Sequence, residues 1–220
     1  MRKFTVALFL LLAAVPTRAE NLLTNGDFAN GFAGWTIKND GPGLGGQAEV
    51  LSALGNITPS ASPQFALVST GPAALRGSIT KTIGSLSQPF VVPTDQEVQI
   101  TFTYGLVTSL FTGGDNAYVD RFWIRIVDSN QGSQDLIVAR TSAVGFLTVD
   151  GSLITSPAGC NFAEYTPLTP FSTSLTLTAG TYKIEFRAQN GINSLFDSGI
   201  LVENVQVNTT APALSVGGKL

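Results

Sequence analysis

The chain has 220 residues, 44% of them hydrophobic and 12% charged, with no histidine and one cysteine. The absence of histidine excludes Ser-His-Asp and Cys-His catalysis and imidazole acid–base chemistry, and one cysteine excludes an intrachain disulfide. The formal charge of −3 becomes −6 once the first nineteen residues are set aside, since they hold Arg2, Lys3 and Arg18 and no acid. An acidic chain with scattered cations is a poor match for phosphate backbones, so no nucleic-acid partner is expected.

Those nineteen residues have the layout of a secretory leader. Arg2 and Lys3 precede an uncharged apolar run from Phe4 to Val15, Pro16 ends it, and Ala19 is a small residue at the expected cleavage point. The run is shorter than the roughly twenty residues a membrane span requires, and no later stretch is long and apolar enough. The expected organisation is residues 1–19 as leader, 20–207 as one domain and 208–220 as a flexible tail. Its expected location is extracellular or at the cell surface, with the periplasm as the other possibility.

After the leader, period-two alternation recurs and no helical period stands out. In chain order the candidate strands are Gln47 to Leu51, Phe65 to Ser69, Gly77 to Ile83, Ser87 to Val92, and the set Val98, Ile100, Phe102, Tyr104. Next come Phe122, Ile124 and Ile126 alternating with Trp123, Arg125 and Val127, and then Asp135 to Ser142. The chain ends with Leu175 and Leu177 among threonines, with Tyr182, Ile184, Phe186, Ala188 alternating with Lys183, Glu185, Arg187, and with Leu201, Glu203, Val205, Val207. About ten such strands between turn-rich segments predict an all-β fold, an antiparallel β-sandwich of the jelly-roll type. Three segments are too long for simple turns, Lys38 to Gly46, Gly105 to Val119 and Ala143 to Phe171, and long loops are where binding residues tend to lie. Cys160 falls in the last of them and reads as a small buried hydrophobe.

The two ends carry a pattern. The first reads Asn21-Leu22-Leu23-Thr24-Asn25-Gly26-Asp27-Phe28, then Gly31 and Gly34-Trp35; the last reads Val202-Glu203-Asn204-Val205-Gln206-Val207. Together they resemble the galactose-binding-like jelly-roll superfamily, which includes many carbohydrate-binding modules and secreted bacterial surface domains. The resemblance implies that the first and last strands lie side by side, with Phe28 and Trp35 plugging one end of the sandwich. It also implies a structural calcium there, for which Asp27, Glu203 and the backbone near Asn25 occupy the matching positions. The sequence departs from the family at Ala29, where Glu is frequent, and at Glu203, where Asp is commoner. Glu203 sits on the apolar side of its strand's alternation and therefore needs a partner, which a calcium ion or a Lys or Arg would supply. Asp115, Asn116 and Asp120 form a second acidic group that lacks the ordered spacing of an EF-hand and reads as loop polarity.

A sugar-binding face needs a flat aromatic side chain rimmed by polar groups. Trp123 is the candidate, because its alternation turns it away from the core that Phe122 and Ile124 build. Arg121 and Arg125 share its face, and Glu185 and Arg187 join them if the two strands are neighbours. Phe111, Tyr118 and Phe196 are candidate rim aromatics. No pair of carboxylates is singled out for hydrolysis, so the chain reads as a non-catalytic binding module for carbohydrate. The competing reading is a structural subunit of a fibre, pilus, sheath or matrix, contacting other extracellular proteins or assembling with itself through sheet edges or the tail.

Overall fold

The computed structural model describes residues 19–40, 46–72, 82–109, 120–130, 132–148, 153–191 and 197–210. Within them lie β1 (Thr36–Asp40), β2 (Gln47–Leu51), β3 (Phe65–Ser69), β4 (Ile83–Val92), β5 (Gln96–Thr108), β6 (Arg121–Asp128) and β7 (Ser133–Arg140). Four strands of two residues follow, β8 (Leu147–Thr148), β9 (Ile154–Thr155), β10 (Asn161–Phe162) and β11 (Glu164–Tyr165). The last three are long: β12 (Thr169–Leu177), β13 (Gly180–Gln189) and β14 (Ser198–Thr209). No helix among the described residues is long and apolar enough to cross a membrane.

All pairings are antiparallel. A five-stranded sheet has the order β1-β4-β13-β6-β7; a seven-stranded sheet has the order β2-β3-β14-β5-β11-β8, with β12 also on β5; β9 and β10 pair by themselves. The chain crosses repeatedly between the sheets, as in a jelly roll. The alternating sides of β5, β6 and β13 meet in the middle, where Ile100, Phe102, Phe122, Ile124, Ile184 and Phe186 are buried together. Phe102 and Phe186 meet edge to face with ring centroids 5.6 Å apart.

The two ends of the chain do lie side by side. Leu22 donates its N–H to Val207 O at 2.7 Å, Val205 to Gly26 O at 2.9 Å, and Asn21 pairs with Asn208. A Cβ on Gly26 would fall 1.9 Å from Val205 O, so only glycine permits this approach. Asn25 has φ 51° and Phe28 φ 58°. The Asn25 amide ties the loop together, donating to Gly31 O at 2.9 Å and Ala33 O at 3.1 Å and accepting from Asn30 N at 2.9 Å. Phe28 and Trp35 are buried with ring centroids 5.2 Å apart, and the indole N–H donates to Asn25 O at 3.0 Å.

Several sequence expectations shift. Thr36–Asp40 is a strand that alternation did not single out. Most of the expected strand Gly77 to Ile83 lies outside the described residues, and Ile83 opens β4. The last strand runs on to Thr209, so residues 208 and 209 belong to the sheet rather than to a tail, and the Thr210 hydroxyl donates to Glu97 O at 2.9 Å. The segment Ala143 to Phe171 is not an open loop. It holds β8 to β11 and the start of β12, and its Ile154, Cys160 and Phe162 join Leu51, Leu54, Ile57, Phe65, Leu67, Val107 and Leu201 in a second buried cluster.

Candidate functional site

β6 and β13 are neighbours, and their register sets Trp123 opposite Arg187, Arg125 opposite Glu185 and Arg121 opposite Gln189. Side chains directly opposite in an antiparallel pair share a face. All five expected ligand residues, Trp123, Arg125, Arg121, Glu185 and Arg187, therefore lie on the outer face of the five-stranded sheet. Trp123 is partly exposed and belongs to neither buried cluster. The Arg187 guanidinium carbon stands 5.4 Å from its ring centroid, a cation–π contact that fixes the indole on the sheet.

Glu185 does not serve as a free acceptor. It is 8% exposed, and its Oε2 receives Arg125 Nε at 2.6 Å and Nη2 at 2.5 Å, while Lys183 Nζ lies 3.6 Å from Oε1. Its role is to hold Arg125 beside Trp123. The sequence reading missed three further residues of this face. Lys38 lies opposite Ser85, which is opposite Arg187; Lys183 is two residues from Glu185 on the same side; Arg140 is opposite Arg121. The period-two parity of residues 183, 185 and 187 held the signal for Lys183, whereas Lys38 needed the unrecognised first strand. Phe111, Tyr118 and Phe196 lie outside the described residues.

The expected calcium corner is built differently. Asn204 has φ 50°, and the register on β5 slips between Glu203 and Gln206, a bulge with an extra residue in β14. The slip changes the alternation. Ile200 and Val202 before it, and Val205 and Val207 after it, all enter the central core, while Leu201 faces the second cluster. Glu203 is fully buried, and its carboxylate accepts from Ser60 N at 2.9 Å, Ser60 Oγ at 2.7 Å, Ala61 N at 3.1 Å and Ser62 N at 3.2 Å. Its need for a partner is met by a turn of N–H and O–H donors, which repel a cation and suit an anion. Asp27 Oδ1 accepts from Ala29 N at 3.2 Å, and the Asn25 oxygens are bonded within their own loop and to Trp35. Asn25, Asp27 and Glu203 thus do not form a donor set that fits calcium, and no group of three or more acids and cysteines among the described residues is placed to hold a metal ion.

Three other acids also fasten loops. Glu49 receives Ser156 Oγ at 2.7 Å and Ala158 N at 2.8 Å, Asp197 receives Asn161 N at 2.6 Å, and Asp120 receives Gly191 N at 2.7 Å. Asp115 and Asn116 lie outside the described residues. Cys160 is fully buried with Sγ 3.4 Å from Ser69 Oγ, and burial pushes its thiol pKa up to about 12. It is a core residue held far from thiolate reactivity. Two shallow depressions, of about 310 and 400 Å³, open beside Tyr182 and beside Phe171, away from Trp123.

No family model matches the chain, and no curated protein does. Several solved structures are similar. One is the enzymatically active domain of tailspike protein 4 of bacteriophage CBA120, 11% identical with a TM-score of 0.47 over 86% of this chain and 21% of that one, so the chain spans about a fifth of it. Another is a family 61 carbohydrate-binding module in complex with β-1,4-galactotriose, 13% identical with a TM-score of 0.48 over 87% of this chain and 99% of that one. A third is the CBM22-1 xylan-binding domain of Xyn10C from Paenibacillus barcinonensis, 14% identical with a TM-score of 0.43 over 89% of this chain and 97% of that one. At these identities and scores the likeness is one of overall shape. Others among the similar solved structures are also carbohydrate-binding modules.

Proposed function

We propose that this chain is a secreted, non-catalytic carbohydrate-binding module whose ligand lies across the outer face of the five-stranded sheet. One observation carries the reading: Trp123 stands partly exposed outside both cores, with Arg121 and Arg125 two residues to either side and Arg187 across from it. An indole fixed on a rigid strand presents an apolar plate to sugar C–H groups, and guanidinium groups beside it donate to hydroxyl and ring oxygens. Glu185, the buried carboxylate of this face, is held by Arg125 with Lys183 nearby, and so belongs to the scaffold that positions the cations. Export follows from the leader of the sequence.

A glycan array probed with the full chain and with Trp123→Ala tests this. The native chain is expected to retain polysaccharide that the variant loses by tenfold or more. The melting temperature should be nearly unchanged, since Trp123 is outside the buried clusters. Equal retention by both proteins would move the ligand away from this face.

A further inference from the structure

Of the twelve Lys and Arg in the chain, Arg2, Lys3, Arg18, Arg76, Lys81 and Lys219 lie outside the described residues. The six that remain are Lys38, Arg121, Arg125, Arg140, Lys183 and Arg187. Register places every one of them on the outer face of the five-stranded sheet, around Trp123. Most of the acids among the described residues lie elsewhere. Glu20, Asp27, Glu49, Asp95, Glu97, Asp120, Glu164, Asp197 and Glu203 are outside that sheet's strands, and Asp128 shares the inward register of Ile124 and Ile126; on the face itself Glu185 and Asp135 oppose Arg125 from its two neighbouring strands, and register puts Asp40 in the row of Gln189, Arg121 and Arg140. A chain of net negative charge thus gathers its described cations on one surface.

Two details show that this surface is not balanced within the molecule. Arg121 and Arg140 are exposed and directly opposite each other across β6 and β7, a like-charge pair that is unfavourable in the free protein. The Nε of Arg187, packed over Trp123, is buried and has no hydrogen-bond partner among the described residues, whereas its neighbour Arg125 is held by Glu185 through Nε and Nη2. Exposed like-charged guanidinium groups near an aromatic plate suit an anion carried on a sugar.

We propose that the ligand of this face is an acidic polysaccharide, whose uronate or sulfate groups are taken by Arg187, Arg121 and Arg140 while a sugar ring stacks on Trp123. This rests on the reading of the Trp123 face as a sugar-binding face and names its substrate class. Guanidinium forks match the planar geometry of carboxylate and the oxygens of sulfate, and the concentrated positive field draws a polyanion to a protein that otherwise repels it.

The full chain is tested by titration calorimetry against polygalacturonate, alginate, hyaluronate and dextran sulfate, beside neutral xylan, mannan, galactan and methyl-esterified polygalacturonate. Binding to at least one acidic polymer is expected, at least tenfold tighter than to any neutral one, and weakened about tenfold between 50 and 500 mM salt. Response to polyuronates or to dextran sulfate alone tells carboxylate from sulfate. The double variant Arg121→Gln, Arg140→Gln, altered only at exposed positions, should lose about tenfold in affinity with a melting temperature equal to or slightly above that of the native chain, since a like-charge pair is removed. Esterified and free polygalacturonate bound alike, with Trp123→Ala abolishing both, would overturn the acidic ligand and leave the sugar-binding reading standing. Binding to no polysaccharide would sink both, and tighter binding to double-stranded DNA than to any glycan would overturn the proposal in favour of a nucleic acid.

Discussion

The two sheets share one core but differ in what lies behind them. The outer side of the seven-stranded sheet is roofed by residues 51–65 and 154–162, whose apolar side chains form a second core with Leu67, Val107 and Leu201. Among the described residues, the outer side of the five-stranded sheet has no such roof, and it carries Trp123 among cations. The difference is visible strand by strand. All five residues of β3 are buried, whereas in β6 the inward Phe122, Ile124 and Ile126 are buried and Arg121, Trp123 and Arg125 are not. One sandwich face is thus specialised for burial, and the other is the face to which the ligand is assigned in the proposal above.

If that contrast is right, removing an aromatic ring should have opposite consequences on the two sides. Phe162→Ala, in the roof, is expected to lower stability by about 3–5 kcal/mol, as a fully buried ring lost to a cavity. Polysaccharide binding by the molecules that remain folded should be unchanged. Denaturant unfolding and calorimetry check both halves. A loss of binding without a loss of stability would erase the distinction between the sides.

Glu203→Ala strikes the pin that holds the roof. Without the carboxylate, the N–H groups of Ser60, Ala61 and Ser62 lose their acceptor in a part-buried site. Stability should fall by about 3 kcal/mol, measured by urea unfolding. Protease cleavage near residues 58–64 should accelerate in the same variant.

Cys160 reports on the roof through pH. Its thiol ionises near 9 in the unfolded chain and only at about 12 in the folded one. Between those values the unfolded state binds fewer protons, so stability falls as pH rises, by about 1.4 kcal/mol per pH unit. Below pH 9 the group contributes no slope. Cys160→Ala should therefore lose less stability than the native chain between pH 9 and 11, and parallel curves would mean that the thiol meets solvent.

The smallest expected effect is none. With Glu203 held by N–H and O–H donors, a chelator should leave the melting temperature where it was. A fall on chelation, reversed by calcium, would return a cation to the Asp27–Glu203 corner.

Much of this contrast was legible in the sequence. The alternation Phe122-Trp123-Ile124-Arg125 separates an inner from an outer side, and it put Trp123 and four polar partners on one face. The unbroken apolar runs Phe65-Ala66-Leu67-Val68 and Ile200-Leu201-Val202 carried the complementary signal, that strands buried on both sides need not alternate. What local pattern could not carry was the slip at Asn204. One inserted residue exchanges the sides of a strand, so Glu203 was placed beside Val205 when it faces the opposite way. The roof itself was illegible because its pieces are two-residue strands separated by turns, held by single carboxylates from distant strands such as Glu49. Such partners, 107 residues apart for Glu49 and Ser156, leave no periodic trace.

The place of β14 has a consequence for the order in which this molecule can come together. It is the last strand described, yet it lies between β3 and β5 in the middle of its sheet, and its far end fastens Asn21 and Leu22. Until residues 198–209 are present, β3 and β5 have no partner on their facing edges, the Gly26 turn has nothing to close on, and the carboxylate that pins the roof is missing. Completion of the fold therefore waits for the final strand. Contacts that span nearly the whole chain also make assembly slow, keeping the polypeptide extended for longer. Under the export proposed above, such a chain would stay threadable through a membrane pore until it folds on the other side.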